Sequence, residues 1–255
     1  MSDGNALIVE NPAPGVRSLR LNRPDVHNAI DMALFERIDE ELAKAADDDE
    51  VRVIVLCAEG GKAFSAGFDI SEMAGFDGPQ MIAAFERRDP LMKTIAAHRC
   101  PVIAAIDGIC YGAGALMSLA ADIRIASTNF RFKVTAADYG GANATWSLPR
   151  LVGPALAKEI LMAGQVIEAS RAANIGLVNR VVDPADIDRE TEELAAAIAA
   201  KPPAGVAGIK RLVDASFGEN PVAGWQAEYD WMVQSMRHAK TGGADVFDSF
   251  LSKKG

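Results

Sequence analysis

Runs of apolar positions outline the architecture. Val51 to Cys57 (VRVIVLC) is rich in β-branched residues and predicts a central strand, and Val102 to Ile106 predicts another buried one. Ala6 to Glu10 and Val16 to Asn22 alternate well enough for two strands joined by the turn at residues 11–15. Asp122 to Ala126 and Phe130 to Val134 read as two short strands. Asp31 predicts the cap of a helix running to about Ala46, with Leu34, Ile38 and Leu42 on one face. A helical region broken by Asp89-Pro90 ends near His98, which reads as a surface or helix-end residue. Ala115 to Ala120 is an apolar run of good helix formers, and further helices are predicted over Pro154 to Ala163, Ser170 to Ile175 and Pro184 to Ala200. Pro202-Pro203 then separates a helical C-terminal region. Strands alternating with helices point to an α/β fold of repeated β-β-α units over residues 1–200, with a helical region at 201–255.

Composition narrows the class. At 255 residues, 49% of them apolar, the chain can bury a sizeable core. No apolar run is long enough to span a bilayer, and the first residues, MSDGNALIVENPAPG, lack the pattern of a secretory signal. Cys57, Cys100 and Cys110 lie in apolar segments and read as reduced core residues, which points to the cytoplasm and away from a disulfide framework or a metal site. A net charge of −9 argues against nucleic acid as a partner.

The chemistry concentrates where strand gives way to helix. Val102 to Ile106 passes through Asp107-Gly108 to Gly112-Ala113-Gly114 and then into the helix. Free amide N–H groups at such a helix start, with the positive end of the dipole behind them, form a seat for negative charge. Small residues there let a ligand reach the backbone itself. For a carbonyl that gains charge as it reacts, this is half of an oxyanion hole. A second turn is predicted around Gly67 in AFSAGFDI (Ala63 to Ile70), where residues are small and no helical period exists.

Two segments, AFSAGFDISEM (Ala63 to Met73) and DGICYGAGALMSLAADIRIA (Asp107 to Ala126), resemble the enoyl-CoA hydratase/isomerase family, or crotonase superfamily. LNRPDVHNAID (Leu21 to Asp31), SLPRLVG (Ser147 to Gly153) and IGLVNRVVD (Ile175 to Asp183) extend the likeness over nearly the whole chain in the family's order. The resemblance implies a spiral of β-β-α turns with a C-terminal helical region that trimerises, as a homotrimer or a dimer of trimers. It implies an acyl-CoA thioester as partner, of the kind met in fatty acid metabolism, with coenzyme A entering as part of the substrate and no separate cofactor. It implies an oxyanion hole from the N–H groups of Phe68 and Ala113, flanked by Gly112. Ala66, Gly67, Asp69 and Ile70 match positions around the coenzyme A moiety. Asp69 is also placed to fix its loop by side chain-to-backbone bonds.

The sequence departs from that pattern at the acid/base positions. The family's hydratases carry a glutamate two residues beyond the GxG, where this chain has Leu116, and a second where alignment on Phe132 gives Ala136. Neither residue moves a proton. Asp138, beside Ala136, Ala137 and Tyr139, is the candidate single base. The competing reading is a turn aspartate before Gly140-Gly141. Two functions follow: a double-bond isomerase or related acyl-CoA enzyme, or a non-catalytic acyl-CoA-binding member.

Overall fold

The computed structural model describes residues 6–88, 90–218 and 230. Strands β1 (Leu7–Ala13) and β2 (Val16–Leu21) form a hairpin, followed by helix α1 (Met32–Asp47). The chain continues through β3 (Val53–Ala58), β4 (Ala63–Ser65), α2 (Ile70–Met73), α3 (Gly78–Arg88) and α4 (Pro90–Ala96). Next come β5 (Val102–Ile106), β6 (Ile109–Tyr111) and α5 (Ala113–Ala120), then β7 (Ile123–Ser127), β8 (Arg131–Lys133), α6 (Leu148–Val152) and α7 (Pro154–Ala163). β9 (Ile167–Glu168), α8 (Ala169–Asn174), β10 (Arg180–Val182), α9 (Ile187–Ala199) and α10 (Pro203–Ser216) complete the described elements.

The pairs β3/β4, β5/β6 and β7/β8 each place their first strand in one sheet and their second in another. The six-stranded sheet has the order β1-β2-β3-β5-β7-β10 and the four-stranded sheet β4-β6-β8-β9. The pairings β2–β3, β3–β5, β5–β7, β7–β10, β4–β6 and β6–β8 are parallel, while β1–β2 and β8–β9 are antiparallel. These are the β-β-α units expected from the residues, wound into the spiral that the family resemblance implies. Because β4, β6 and β8 run in the same direction, the loops after them emerge on one edge, the edge where parallel sheets collect ligands.

The unbroken apolar runs of β3 and β5 reflect burial on both faces. Ile54, Leu56, Val102, Ala104 and Ile106 pack into the main core with Leu34, Ile38 and Leu42 of α1. Their alternates Val53, Val55, Cys57, Ile103 and Ala105 pack beneath Ile187, Ala195 and Ala199 of α9. α1 begins as its sequence predicts: Asp31 caps it by accepting from the Leu34 amide at 2.8 Å. All three cysteines are free and buried.

Two local expectations shift. β1 runs on to Ala13, so the turn is tighter than residues 11–15. The helical region before His98 divides into α3 and α4, with α4 starting at Pro90 as expected. His98 is buried at the helix end, its Nδ1 accepting from the Cys100 amide and its Nε2 reaching the Leu42 carbonyl, both at 3.1 Å. With Nδ1 an acceptor, Nε2 carries the proton, and the ring joins α1 to the α4–β5 connection.

The chain divides into two units between Val206 and Ala207, the first holding both sheets. Most of the expected C-terminal helical region, with any trimerising surface it carries, lies outside the described residues. Among the described residues no helix is long and apolar enough to cross a membrane.

Candidate active site

The β4–α2 loop, residues 66–69, is held in strand-like pairing with Ile30. The Ile30 amide donates to the Gly67 carbonyl at 2.8 Å, and the Asp69 amide donates to the Ile30 carbonyl at 2.9 Å. In a trans peptide the C=O and N–H point in opposite directions. The Gly67 carbonyl is aimed at Ile30, so the Phe68 N–H is aimed away from it. The same logic applies at the start of α5. The Gly112 carbonyl accepts from the Leu116 amide at 3.0 Å, so the Ala113 N–H points off the helix N-terminus. Among the described residues neither amide has a protein acceptor.

Glycine makes both turns possible and lets them approach. Gly67 has φ +109° and Gly112 has φ +50° with ψ −122°, backbone that L side chains rarely adopt. A Cβ placed on Gly67 would stand 3.2 Å from the Ala113 nitrogen and 3.2 Å from the Tyr111 carbonyl. The parallel pairing of β4 with β6 brings the two loops side by side, and with them the N–H groups of Phe68 and Ala113.

A frame of polar side chains fixes the first loop. His27 and Asn28 both have positive φ, 54° and 52°. The buried Asn28 amide donates to the carbonyls of Glu59 at 3.0 Å and Ala63 at 2.8 Å, and its Oδ1 accepts from the Arg23 amide at 2.7 Å. Ser65 Oγ donates to the Asn28 carbonyl at 2.8 Å and accepts from the Gly67 amide at 3.1 Å. Arg23 donates to the Ala29 carbonyl and spans Asp31 and Asp69, each at 3.2 Å. Asp69 also accepts from the amides of Ser71 at 3.0 Å and Glu72 at 3.4 Å, capping α2. Burial alone would raise the Asp69 carboxyl. The Glu72 amide, the Arg23 guanidinium and the Ser71 amide outweigh it and hold Asp69 below its ordinary value.

α5 is buried along almost its whole circumference, and Leu116 is its one residue that is not fully buried. The far end of α5 is closed by Arg124, whose Nη1 donates to the carbonyls of Ser118 at 3.1 Å and Ala121 at 2.7 Å. Burial pulls this guanidinium down to about 10, which leaves it cationic at neutral pH and matched to the negative helix end.

The remaining candidates fall around these loops. Ala66 and Ile70 are exposed, and Gly67 and Ala113 are buried. Thr135 Oγ1 lies 3.4 Å from where a Gly112 side chain would begin, which places the β8 loop against the α5 N-terminus. Ala136 and Asp138 follow in a turn of 3₁₀ helix over Ala136–Tyr139. Asp138 is exposed and makes an ion pair with Lys133 at 2.8 Å, close to Gly164 at the end of α7. Asn28 and Arg23 lie in a segment whose motif is legible in the sequence, yet their bonds to it were not. Glu72 and Arg88, 2.7 Å apart, were missed altogether because they lie on different helices. Among the described residues no group of three or more His, Cys, Asp or Glu side chains could hold a metal ion.

Known proteins are similar to this chain in sequence and fold. The chain is 35% identical over 192 residues to the crotonyl-CoA hydratase of Syntrophomonas wolfei, covering 72% of each chain. It is 34% identical over 201 residues to the (E)-benzylidenesuccinyl-CoA hydratase of Thauera aromatica, covering 77% of each. The crystal structure of an enoyl-CoA hydratase from Bacillus anthracis superposes with a TM-score of 0.91 at 31% identity, covering 97% of this chain and 96% of that one. The enoyl-CoA hydratase/isomerase family model matches residues 12–254. On that span, and on the β-β-α spiral that carries it, the chain belongs to the enoyl-CoA hydratase/isomerase family.

Proposed function

We propose that this chain processes acyl-CoA thioesters by polarising the thioester carbonyl between the N–H groups of Phe68 and Ala113. The observation that carries this reading is the pair of amides without protein acceptors on adjoining loops, each turned outward by a bonded carbonyl behind it. Removing the α-proton of a thioester puts negative charge on that oxygen, and donors already aimed there need no reorganisation as the charge develops. One such donor is typically worth ~3–4 kcal/mol in the transition state. Ala66, Gly67, Asp69, Ile70 and Gly112 form the surrounding walls for the thioester and the coenzyme A chain. Coenzyme A is part of the substrate, and no further cofactor is required.

The reaction best suited to this site is a double-bond shift. Hydration by two carboxylates has no carboxylate at Leu116 or Ala136. Isomerisation needs one group that takes the α-proton and returns it to the γ-carbon of the same dienolate, with no net change in atoms. Asp138 is the proposed carrier, and to accept a proton it must release Lys133. A second reading, a non-catalytic acyl-CoA-binding member, is favoured by the same apolar residues.

Absorbance assays on matched 2-enoyl and 3-enoyl-CoA thioesters test the proposal. Interconversion that is lost in Asp138→Asn supports it. Interconversion that survives removes Asp138 from the mechanism. Tight binding with no change in any thioester establishes the binding role instead.

A further inference from the structure

The largest fully buried side chain among the described residues is a cation, Arg88 at the end of α3, only 1% exposed. A buried charge requires partners, and those of Arg88 all belong to the donor loop or its supports. Its Cζ lies 4.4 Å from the centroid of the Phe68 ring and 6.0 Å from that of Phe76. Its Nη2 reaches Glu72 at 2.7 Å, and its Nε faces Met32 Sδ at 2.9 Å. Glu72 in turn accepts from the Met32 amide at 3.2 Å, through both carboxylate oxygens. Met32 opens α1, directly after Asp31, which is paired with Arg23.

Arg23 restrains the donor loop through Asp69, one residue beyond Phe68. The bond from the Ile30 amide to the Gly67 carbonyl sets the plane of the Phe68 peptide from one side, while its N–H side is left for a ligand. The guanidinium adds a restraint through the Phe68 side chain. It lies over the ring of the same residue that carries the donor and is itself held by Glu72. We propose that Arg88 is a positioning residue, holding the Phe68 amide in its polarising direction through the Phe68 ring, with Glu72 orienting the guanidinium. This rests on the oxyanion reading above, and it assigns Arg88 no contact with substrate.

The test uses an aryl-conjugated 2-enoyl-CoA, whose absorbance moves to the red when its carbonyl is polarised. The wild-type protein is expected to bind it with a red shift. Arg88→Met is expected to keep its dissociation constant within ~3-fold while losing at least half the shift. It should also lower kcat by ~10-fold or more with KM little changed, against ~10²–10³ for outright loss of one donor. Arg88→Lys keeps the charge but loses the flat stack, and it should resemble Arg88→Met. Phe68→Leu keeps the amide and removes the ring, so it should lose the same fraction of the shift, and it carries the test should Arg88→Met not fold. A full shift and unchanged kcat in either variant, with only the unfolding temperature lowered, overturns the positioning role. A wild-type protein that binds the thioester with no shift overturns the oxyanion reading itself, a distinct result that takes the Arg88 role with it.

Discussion

Gly67 lies so close to Ala113 that a single added methyl at residue 67 would stand 3.2 Å from the Ala113 nitrogen. The two loops are therefore spaced by the absence of a side chain. Gly67→Ala faces both that contact and a φ of +109°, a conformation costing on the order of 1–3 kcal/mol for an ordinary residue. Turnover of an acyl-CoA substrate is expected to fall by ~10-fold or more, with thermal unfolding a few degrees lower. Unchanged turnover would show that the loops need not touch in this way.

Gly114 is constrained from the opposite side. A Cβ there would stand 2.7 Å from both the Ser65 Cβ and the Ser65 carbonyl. Backbone cannot swing aside as a side-chain tip can, so Gly114→Ala should push α5 off β4. The expected loss is ~1–3 kcal/mol in denaturant unfolding, accompanied by lower activity.

Asn28 supports two carbonyls and one amide from inside the protein. Asn28→Ala leaves those carbonyls without their donor and puts alanine at φ 52°. Roughly 1–3 kcal/mol is expected for each buried group left unsatisfied. Urea unfolding measures the loss, and a loss below ~1 kcal/mol would mean that water replaces the side chain.

Asp69 gives the donor loop an acid limit. Its carboxyl is held below its ordinary value in the folded chain, so its contribution to stability is complete above the unfolded value of about 3.9. That contribution is lost as pH falls through the lower folded value. Asp69→Asn should therefore unfold more easily at neutral pH, and its stability should fall less between about pH 5 and 2 than that of the wild type. Parallel acid titrations followed by circular dichroism check the sign.

The three cysteines should be silent in the native protein. Burial pushes the Cys57 thiol up to about 11 and the Cys110 thiol up to about 12, and Cys100 is also buried. An aromatic disulfide reagent at pH 8 is expected to react with none of them natively and with all three in denaturant. A fast native reaction would place a thiolate at the surface.

The strands of the six-stranded sheet other than β10 were readable, β3 and β5 because burial on both faces turns them into unbroken apolar runs. β4, β6 and β8 have three residues each, too few for any period to show, and of these only β8, within Phe130 to Val134, was read as a strand. Yet these short strands bring the two donor loops together. The glycines at 67 and 112 signalled turns, and the donor amides followed from those turns and from family likeness. Arg88 gave no such signal. Next to Arg87 at a helix end it reads as a solvated charge, and its partners Glu72, Met32 and Phe68 are distant in sequence. His98 lies at a helix end as read, but its burial was missed for the same reason, since its partners on α1 and at Cys100 are set by packing.

The parallel strands β4 and β6 supply main-chain groups, while the acid/base positions are side chains on α5 and after β8. Under the proposed function, carbonyl activation is written into the path of the backbone and proton traffic into replaceable residues. On that reading, changing the side chain at 116 would leave the main-chain clamp intact, so a new reaction needs only a re-equipped rim.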